Sequence, residues 1–360
     1  LCTANLPEPT IGANSDTQAD DYFETVLWTG NATDDTAIAV NFQPDFTWIK
    51  QRSGTAYHNL SNSTVGATKA LFSNATDVEG TNADRLKAFT STGFTLGDAT
   101  DVNGNSSTYV AWNWLANGGT TVTNEDGSID STVQANTDAG FSIVTYSGNA
   151  DASATIGHGL GVVPKMIMVK KRDEAGNWIV FTETTGATNK LNLNATTANA
   201  TSALFNDTAP TSTVFSVKDT SSDDTFGDGH TYVAYCFADV EGFSKFGSYT
   251  GNGVTSGDGT FAFLGFRPAF IMIKNKTASA EWVMVDSVRS TFNEVDDILV
   301  ADDSSSEADF GTTNRNIDFL SNGFKIMNTV AGGTTALNTS GSIYTYMAFA
   351  EQPFKYANAR

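Results

Sequence analysis

One strand-like segment occurs three times in this chain. Pro44 to Lys50, Pro164 to Lys170 and Pro268 to Lys274 each begin with proline, continue through apolar residues, and reach a lysine six positions later. Short apolar runs of this kind predict buried strands. Proline is tolerated at the first position of a strand because that residue need not donate a ladder hydrogen bond. Three copies of one strand predict three copies of the unit around it.

The segments that flank these strands also recur in a fixed order. Each unit opens with an aromatic strand and a Gly-Asn turn, and each closes with a strand that contains tyrosine and alanine. The prolines are 120 and 104 residues apart. A period near 100 is too long for a solenoid repeat or a propeller blade, and it matches a whole β-sandwich. The closing strands are Thr108 to Trp114, Thr231 to Phe237 and Ile343 to Phe349.

The predicted fold is therefore all-β, with three tandem, internally homologous β-sandwich-like repeats and long polar loops. A helical turn is predicted only near Asp84 to Phe89, where no long amphipathic pattern follows. The predicted organisation is an extended N-terminal lead-in at 1–21, repeat 1 at 22–119, a linker or arm at 120–139, repeat 2 at 140–243 and repeat 3 at 244–360.

The charge balance limits the partners of the chain. It has 40 acidic and 20 basic residues, which gives a net charge of −20. Such a surface disfavours nucleic acid and anionic membranes, and it leaves cation binding open. No apolar run approaches the roughly 18 residues of a membrane helix, so membrane insertion is not predicted. Because the chain starts at Leu1, we expect a processed product or the remainder of something longer.

Two loops are rich in carboxylate and amide oxygens, which are the ligands that Ca²⁺ prefers. Their spacing fits no EF-hand, and Asp and Asn are also the usual turn formers, so both interpretations stay open. No other metal, cofactor or catalytic residue is predicted. The calcium candidates are Asp98, Asp101 and Asn103 before Tyr109, and Asp223, Asp224 and Asp228 before Tyr232.

The remaining polar and aromatic signals favour structural roles. His58, His158 and His230 fall at different places in the three repeats, so a shared metal or catalytic site is not predicted. The tryptophans lie mostly within strand patterns, which favours core packing over stacking on sugars. Cys236 is predicted to be a buried free thiol, and a disulfide with Cys2 stays open.

Several recurring motifs stand out, including Tyr146 to Asn149, Gly157 to Pro164, Glu241 to Asn252 and Ala348 to Arg360. These motifs resemble a family of uncharacterised repeat domains from marine and freshwater tailed phages. In that family the unit often follows a SPRY-like, concanavalin-like domain, and Leu1 to Pro7 looks like the junction after such a domain. The resemblance implies a virion protein of a tail fibre or related surface appendage, and it supplies no catalytic residues.

The resemblance and the repeats together predict a structural, non-enzymatic phage virion protein, with β-domains in series and a role in adhesion to the host surface. The expected location is the virion or extracellular space. The expected partners are further copies of the chain, as a homo-oligomer and commonly a trimer, other virion proteins, and a host cell-surface glycan or protein. Two alternatives stay open. One is a virion-associated glycan-degrading enzyme with two facing carboxylates; the other is a secreted bacterial adhesin or filament-forming coat protein joined by strand addition.

Overall fold

A computed structural model describes residues 17–220, 222, 224–254, 257–309, 316–327 and 335–351. The chain is all-β, as predicted, and its strands pair antiparallel. Helical structure in the described residues is limited to a 3-10 turn, Ala19–Asp21, and one α-helical turn, α1, Thr100–Asn103. The helical turn predicted near Asp84 to Phe89 is wrong, because that segment enters a strand that pairs with its neighbour. Within these ranges no helix is long and apolar enough to cross a membrane.

Unit 1 comprises the first nine strands, which form a large and a small sheet. The large sheet has the order β1-β9-β3-β4-β5-β6 and the small sheet the order β2-β8-β7. The strands are β1 Phe23–Thr29, β2 Thr36–Ala39, β3 Phe46–Gln51, β4 Asn59–Asn62, β5 Lys69–Phe72, β6 Gly80–Thr81, β7 Leu86–Thr90, β8 Gly93–Leu96 and β9 Thr108–Trp114.

Unit 2 comprises the next ten strands. Its large sheet has the order β10-β11-β12-β19-β14-β15-β16-β17, and its small sheet pairs β13 with β18. The region expected to be a linker or arm supplies β10 and β11, a hairpin on the edge of the large sheet. The strands are β10 Val122–Asn124, β11 Ser131–Asn136, β12 Phe141–Ser147, β13 Ser153–Gly157, β14 Met166–Lys171, β15 Ile179–Thr182, β16 Asn189–Asn192, β17 Ala200–Thr201, β18 Val214–Lys218 and β19 Thr231–Phe237.

Unit 3 comprises the last nine strands. The large sheet has the order β20-β28-β22-β23-β24-β25 and the small sheet the order β21-β27-β26. The strands are β20 Ser244–Thr250, β21 Phe261–Phe263, β22 Pro268–Asn275, β23 Trp282–Asp286, β24 Asp297–Val300, β25 Ala308–Asp309, β26 Ile317–Leu320, β27 Gly323–Ile326 and β28 Ile343–Ala350.

Each small sheet covers the outer face of its large sheet. In unit 1, Phe94 of the small sheet packs in one cluster with Ile49 and Ala111 of the large sheet. In unit 2, the corresponding cluster joins Phe215 to Ile167. Each unit is therefore a two-layer sandwich, which agrees with the length of the sequence period.

The inner faces of the three large sheets meet in one shared core. Trp114, Phe237 and Phe349 lie at its centre, with ring centroids 6.3 Å (Trp114 to Phe237), 5.7 Å (Trp114 to Phe349) and 6.1 Å (Phe237 to Phe349) apart. The prediction of β-domains in series is therefore wrong in its arrangement. The central strands are apolar on both faces, so each inner face needs a cover that its own small sheet cannot supply.

The lysine that ends each Pro-to-Lys segment lies at a joint between units. Lys50, Lys170 and Lys274 are fully buried. Their ammonium groups donate to backbone carbonyls of another unit: Lys50 to Ser304 at 3.1 Å, Lys170 to Thr76 at 3.2 Å, and Lys274 to Ala195 at 3.1 Å. Burial lowers the pKa of each lysine to about 8.

Backbone hydrogen bonds close the three joints into a ring. The amide six residues after each lysine donates across its joint: Ala56 to Ser304 (3.0 Å), Gly176 to Thr76 (2.9 Å) and Ala280 to Thr196 (2.8 Å). Unit 1 therefore contacts unit 3, unit 2 contacts unit 1, and unit 3 contacts unit 2. A heterologous contact that returns to its starting unit makes a closed ring.

The joint between units 1 and 3 also holds a buried ion network. Arg289 is fully buried and binds Asp286 through Nε at 2.6 Å and Glu307 through Nη1 at 2.9 Å. Glu307 also binds Arg52 of unit 1 at 2.6 Å, and Asp286 accepts a hydrogen bond from the Trp112 indole at 3.1 Å. The charges are paired and hydrogen-bonded, so this joint tolerates their burial.

One acid at the joints is not compensated in this way. Asp302 accepts a hydrogen bond from the Trp282 amide at 2.9 Å, but its other oxygen is buried without a partner. Burial raises the pKa of Asp302 to about 6, although Lys274 nearby opposes the shift. In units 1 and 2 the corresponding acceptors are neutral: the side-chain oxygens of Asn74 and Asn194 accept hydrogen bonds from the backbone amides of residues 58 and 178.

We expect Phe349→Ala to lower the free energy of unfolding of the whole chain by about 3–5 kcal/mol, because it empties the centre of the shared core. Urea unfolding measures this. Phe292→Ala is the control, since Phe292 is 82% exposed, and its effect should stay within about 0.5 kcal/mol. A loss below about 1 kcal/mol for Phe349→Ala would contradict the central role of this ring.

We expect Asp302→Asn to stabilise the protein above pH 6. The folded-state pKa of Asp302 is raised, so the wild type loses stability as the pH rises from about 4 through 6. The asparagine variant lacks this loss, and its advantage should grow to at most about 3 kcal/mol at pH 8. Urea unfolding at several pH values measures the difference.

The matched control is Asp303→Asn. Hydrogen bonds from Ser305 lower the pKa of Asp303, so its carboxylate stabilises the fold above pH 4 and the substitution should weaken the protein at pH 7. Equal pH dependence for the two variants would refute the assignment to Asp302.

Candidate functional site

An open polar cleft of about 720 Å³ lies in unit 1. It is formed where the end of β3 and the loop after it face the loop before β7 and the turn of α1. Its lining is mostly amides, hydroxyls and carboxylates, with one exposed aromatic ring. The lining residues include Gln51, Thr55, Ala56, Tyr57, Asn82, Asp84, Arg85, Asp98, Thr100, Asp101, Asn105 and Ser107.

Tyr57 is the aromatic residue of the cleft. Its side chain is 46% exposed, and its ring rests against Phe72 with 5.5 Å between centroids. Its neighbour His58 is fully buried, so the chain enters the core directly after Tyr57. The Tyr57 ring is thus packed against the protein in a tilted contact while the side chain remains accessible.

Arg85 fixes the opposite wall. Its guanidinium lies 5.1 Å from the centre of the Phe72 ring and binds Asp101 through Nε at 2.6 Å. The backbone on both sides is tied down, because Gly97 donates to the Arg85 carbonyl at 2.8 Å and Ala99 donates to the Asp84 carbonyl at 2.9 Å. The cleft walls are therefore pre-formed.

The matching position in unit 2 is closed. Asp101 stands eight residues before Tyr109, and Asp224 stands eight residues before Tyr232. Asp224 is buried and accepts a hydrogen bond from the Asn177 amide at 2.9 Å, and Asn177 stands where unit 1 has Tyr57. In unit 1, Asp101 pairs with Arg85 instead, and the cleft lies between this pair and the loop of Tyr57.

A sequence family described as a domain of unknown function, DUF7483, matches residues 18–353. This chain belongs to the DUF7483 family. No curated protein and no solved structure matches it.

The structure places the calcium candidates of this DUF7483 chain in different roles. Asp98 is exposed at the cleft, and Asp101 pairs with Arg85. Asn103 is fully buried, and its amide donates to the Gly97 carbonyl at 2.9 Å and to the Thr33 carbonyl at 3.0 Å. Asn103 therefore connects the loop after β1 to the loop after β8 through these two hydrogen bonds.

The unit 2 candidates do not converge either. Asp224 caps the loop at Asn177, Asp228 is exposed, and Asp223 lies outside the described residues. Among the residues that the structure describes, no three His, Cys, Asp or Glu side chains are grouped to hold a metal ion. Calcium binding stays a prediction, and a shift of the melting temperature with Ca²⁺ is its measurement.

The histidines of the DUF7483 chain lie apart. His58 is buried and accepts a hydrogen bond from the Trp48 indole at 2.9 Å, and burial holds its pKa well below the ordinary value. His158 is buried beside the Thr211 carbonyl, which lies 3.2 Å from its Nε2. His230 lies 3.4 Å from Asp173 in a different loop.

The aromatic and cysteine predictions are confirmed where the structure describes them. Trp48, Trp178 and Trp282 are buried, and Trp28 is half-buried with its ring stacked on Tyr109. Cys236 is a buried free thiol, and Cys2 lies outside the described residues.

Sequence patterns alone do not single out Tyr57, Asn82, Asp84 or Arg85. They predict a helical turn at Asp84 and Arg85, and Tyr57 is one aromatic residue among many. The signal that distinguishes Tyr57 is comparison of the units: at its position, seven residues after the recurring lysine, unit 2 has Asn177 and unit 3 has Glu281.

We expect Arg85→Met to lower the free energy of unfolding of this DUF7483 chain by about 1 kcal/mol. The variant lacks the ion pair with the partly buried Asp101 and the cation–π contact with Phe72. Chemical denaturation measures this. Lys87→Met is the matched control, since Lys87 pairs with the more exposed Asp34 and Asp35, and the loss should stay below about 0.5 kcal/mol. Equal losses of unfolding free energy in Arg85→Met and Lys87→Met would contradict the role of Arg85 in the wall of the cleft.

Proposed function

We propose that the three units are copies of one β unit arranged around a pseudo-threefold axis. The registers support this, since Phe46 pairs with Trp114, Met166 with Phe237 and Phe270 with Phe349. All three pairs place the aromatic residue near the end of a closing strand in the same position. The three buried lysines and the amides six residues after them add the same repeat at the joints.

On this basis, the chain functions as a structural, non-enzymatic protein that presents a stable surface for adhesion to a host. The observation that carries the proposal is the closed ring of joints. Its buried lysines, arginines and aromatic rings bind other parts of the same chain. These groups stabilise the fold of the chain, and the polar cleft of unit 1 lies open on its surface.

The resemblance to phage repeat domains supports a place in the virion, in a tail fibre or related appendage. There the chain contacts other virion proteins and a host glycan or protein. The joints that a threefold assembly of single units would use are occupied within one chain. A homo-oligomer, including a trimer, would therefore form through other surfaces.

A glycan-degrading enzyme is the second candidate, and one observation favours it. Asp84, Asp98 and Asp101 all line the cleft of unit 1. Hydrolysis of a glycosidic bond needs two carboxylates on opposite sides of the bond. Asp101 is paired with Arg85, which leaves Asp84 and Asp98 as the pair for this reaction.

The proposal predicts that antibodies against the chain label an appendage of intact phage particles, as seen by electron microscopy. It also predicts that the purified chain binds host cells and reduces phage adsorption, because it occupies the same surface receptor. If the chain released reducing ends from host polysaccharide, and Asp84→Asn and Asp98→Asn abolished that activity, the glycan-degrading function would replace the adhesive one. Absence of the chain from particles together with no cell binding would overturn the proposal.

A further inference from the structure

We infer that the cleft of unit 1 is a binding site for a short neutral oligosaccharide. The inference rests on the proposed adhesive function and assigns its ligand and its contact residues. The volume of about 720 Å³ falls in the range of roughly 300–1,000 Å³ that holds small ligands in proteins.

The lining suits the two kinds of surface on a sugar. The exposed Tyr57 ring offers an apolar face to the C–H groups of a pyranose, and Phe72 supports it from behind. Asn82, Asn105 and Gln51 line the same space and offer amide donors and acceptors for hydroxyl groups. An amphipathic ring with polar neighbours is typical of wet, polar recognition.

The charge of the cleft selects among sugars. Asp84, Asp98 and Asp101 line it together with a single cation, Arg85. Carboxylates outnumber cations there, and the whole chain carries a net charge of −20. Uronic and sialic acids would therefore be repelled, and neutral saccharides are favoured.

The comparison with unit 2 indicates that the open cleft is a specific feature of unit 1. The aspartate at the equivalent position closes the loop at Asn177 in unit 2, whereas Arg85 binds it in unit 1. Three differences coincide in unit 1: the aromatic residue at position 57, the arginine at position 85 and the displaced aspartate. Together they leave a cleft where, in unit 2, Asp224 binds the loop at Asn177.

The test is a glycan array probed with the full chain. The array carries di- to tetrasaccharides of glucose, galactose, mannose and N-acetylglucosamine, together with uronic-acid and sialic-acid counterparts. We expect binding to neutral members only. For the best of these, calorimetry should show a Kd at least about tenfold weaker in Tyr57→Ala, whereas Tyr57→Phe should stay near the wild-type value because the ring remains.

Two controls keep the result interpretable. Phe292→Ala removes an exposed ring outside the cleft and should leave the Kd unchanged, and each variant should keep the melting temperature of the parent within a few degrees. Asn105→Ala, which changes an exposed loop position of the cleft, should also weaken binding.

The outcomes separate this inference from the proposed function. Host-cell binding that is unaffected by Tyr57→Ala, or an array with no neutral ligand, would overturn the cleft assignment while adhesion stands. Binding restricted to acidic saccharides would overturn it as well. Cleavage of a bound neutral saccharide would support the site but replace the non-enzymatic function with hydrolysis.

Discussion

The shared core at Trp114, Phe237 and Phe349 is the constraint on which the rest of the structure depends. Each ring sits at the end of a closing strand that is buried on both faces. One face has a cover within its own unit, and the other face has a cover only where all three units meet. A single unit would expose an apolar sheet face to water, so the three units stabilise one another as neighbours do in repeat proteins.

The joints around that core contain buried lysine ammonium groups, and the burial of a charged group costs free energy. Removing an ammonium group from water destabilises the charged form, and the lowered pKa of Lys50, Lys170 and Lys274 reflects this. The backbone carbonyls of Thr76, Ala195 and Ser304, in the loops after β5, β16 and β24, need donors, and a lysine of a neighbouring unit supplies each one. Each carbonyl accepts a hydrogen bond only when the lysine of the neighbouring unit lies within reach. These contacts therefore favour the observed arrangement of the units over arrangements in which the units are shifted or exchanged.

Much of the fold was predictable because its signals are local. The Pro-to-Lys strands, the closing strands and the buried tryptophans follow from short apolar patterns. The shared core was not predictable, because an apolar run such as Met166 to Val169 indicates burial on both faces but not the identity of the cover. The cleft was harder still. Asp98 and Asp101 stood out as a loop of acids, whereas Tyr57 and Arg85 become their neighbours only through the pairing of sheets.

The cleft and the ring are physically linked at one residue. Ala56 lines the cleft, and its amide donates to Ser304 across the joint between units 1 and 3. The loop that carries Tyr57 therefore takes its position from unit 3 as well as from unit 1. A ligand held by this loop would bind the closed ring and not an opened one, and binding to one state stabilises that state. In the proposed binding mode, the joint between units 1 and 3 fixes the loop, and Tyr57 and Arg85 line the cleft that the ligand occupies.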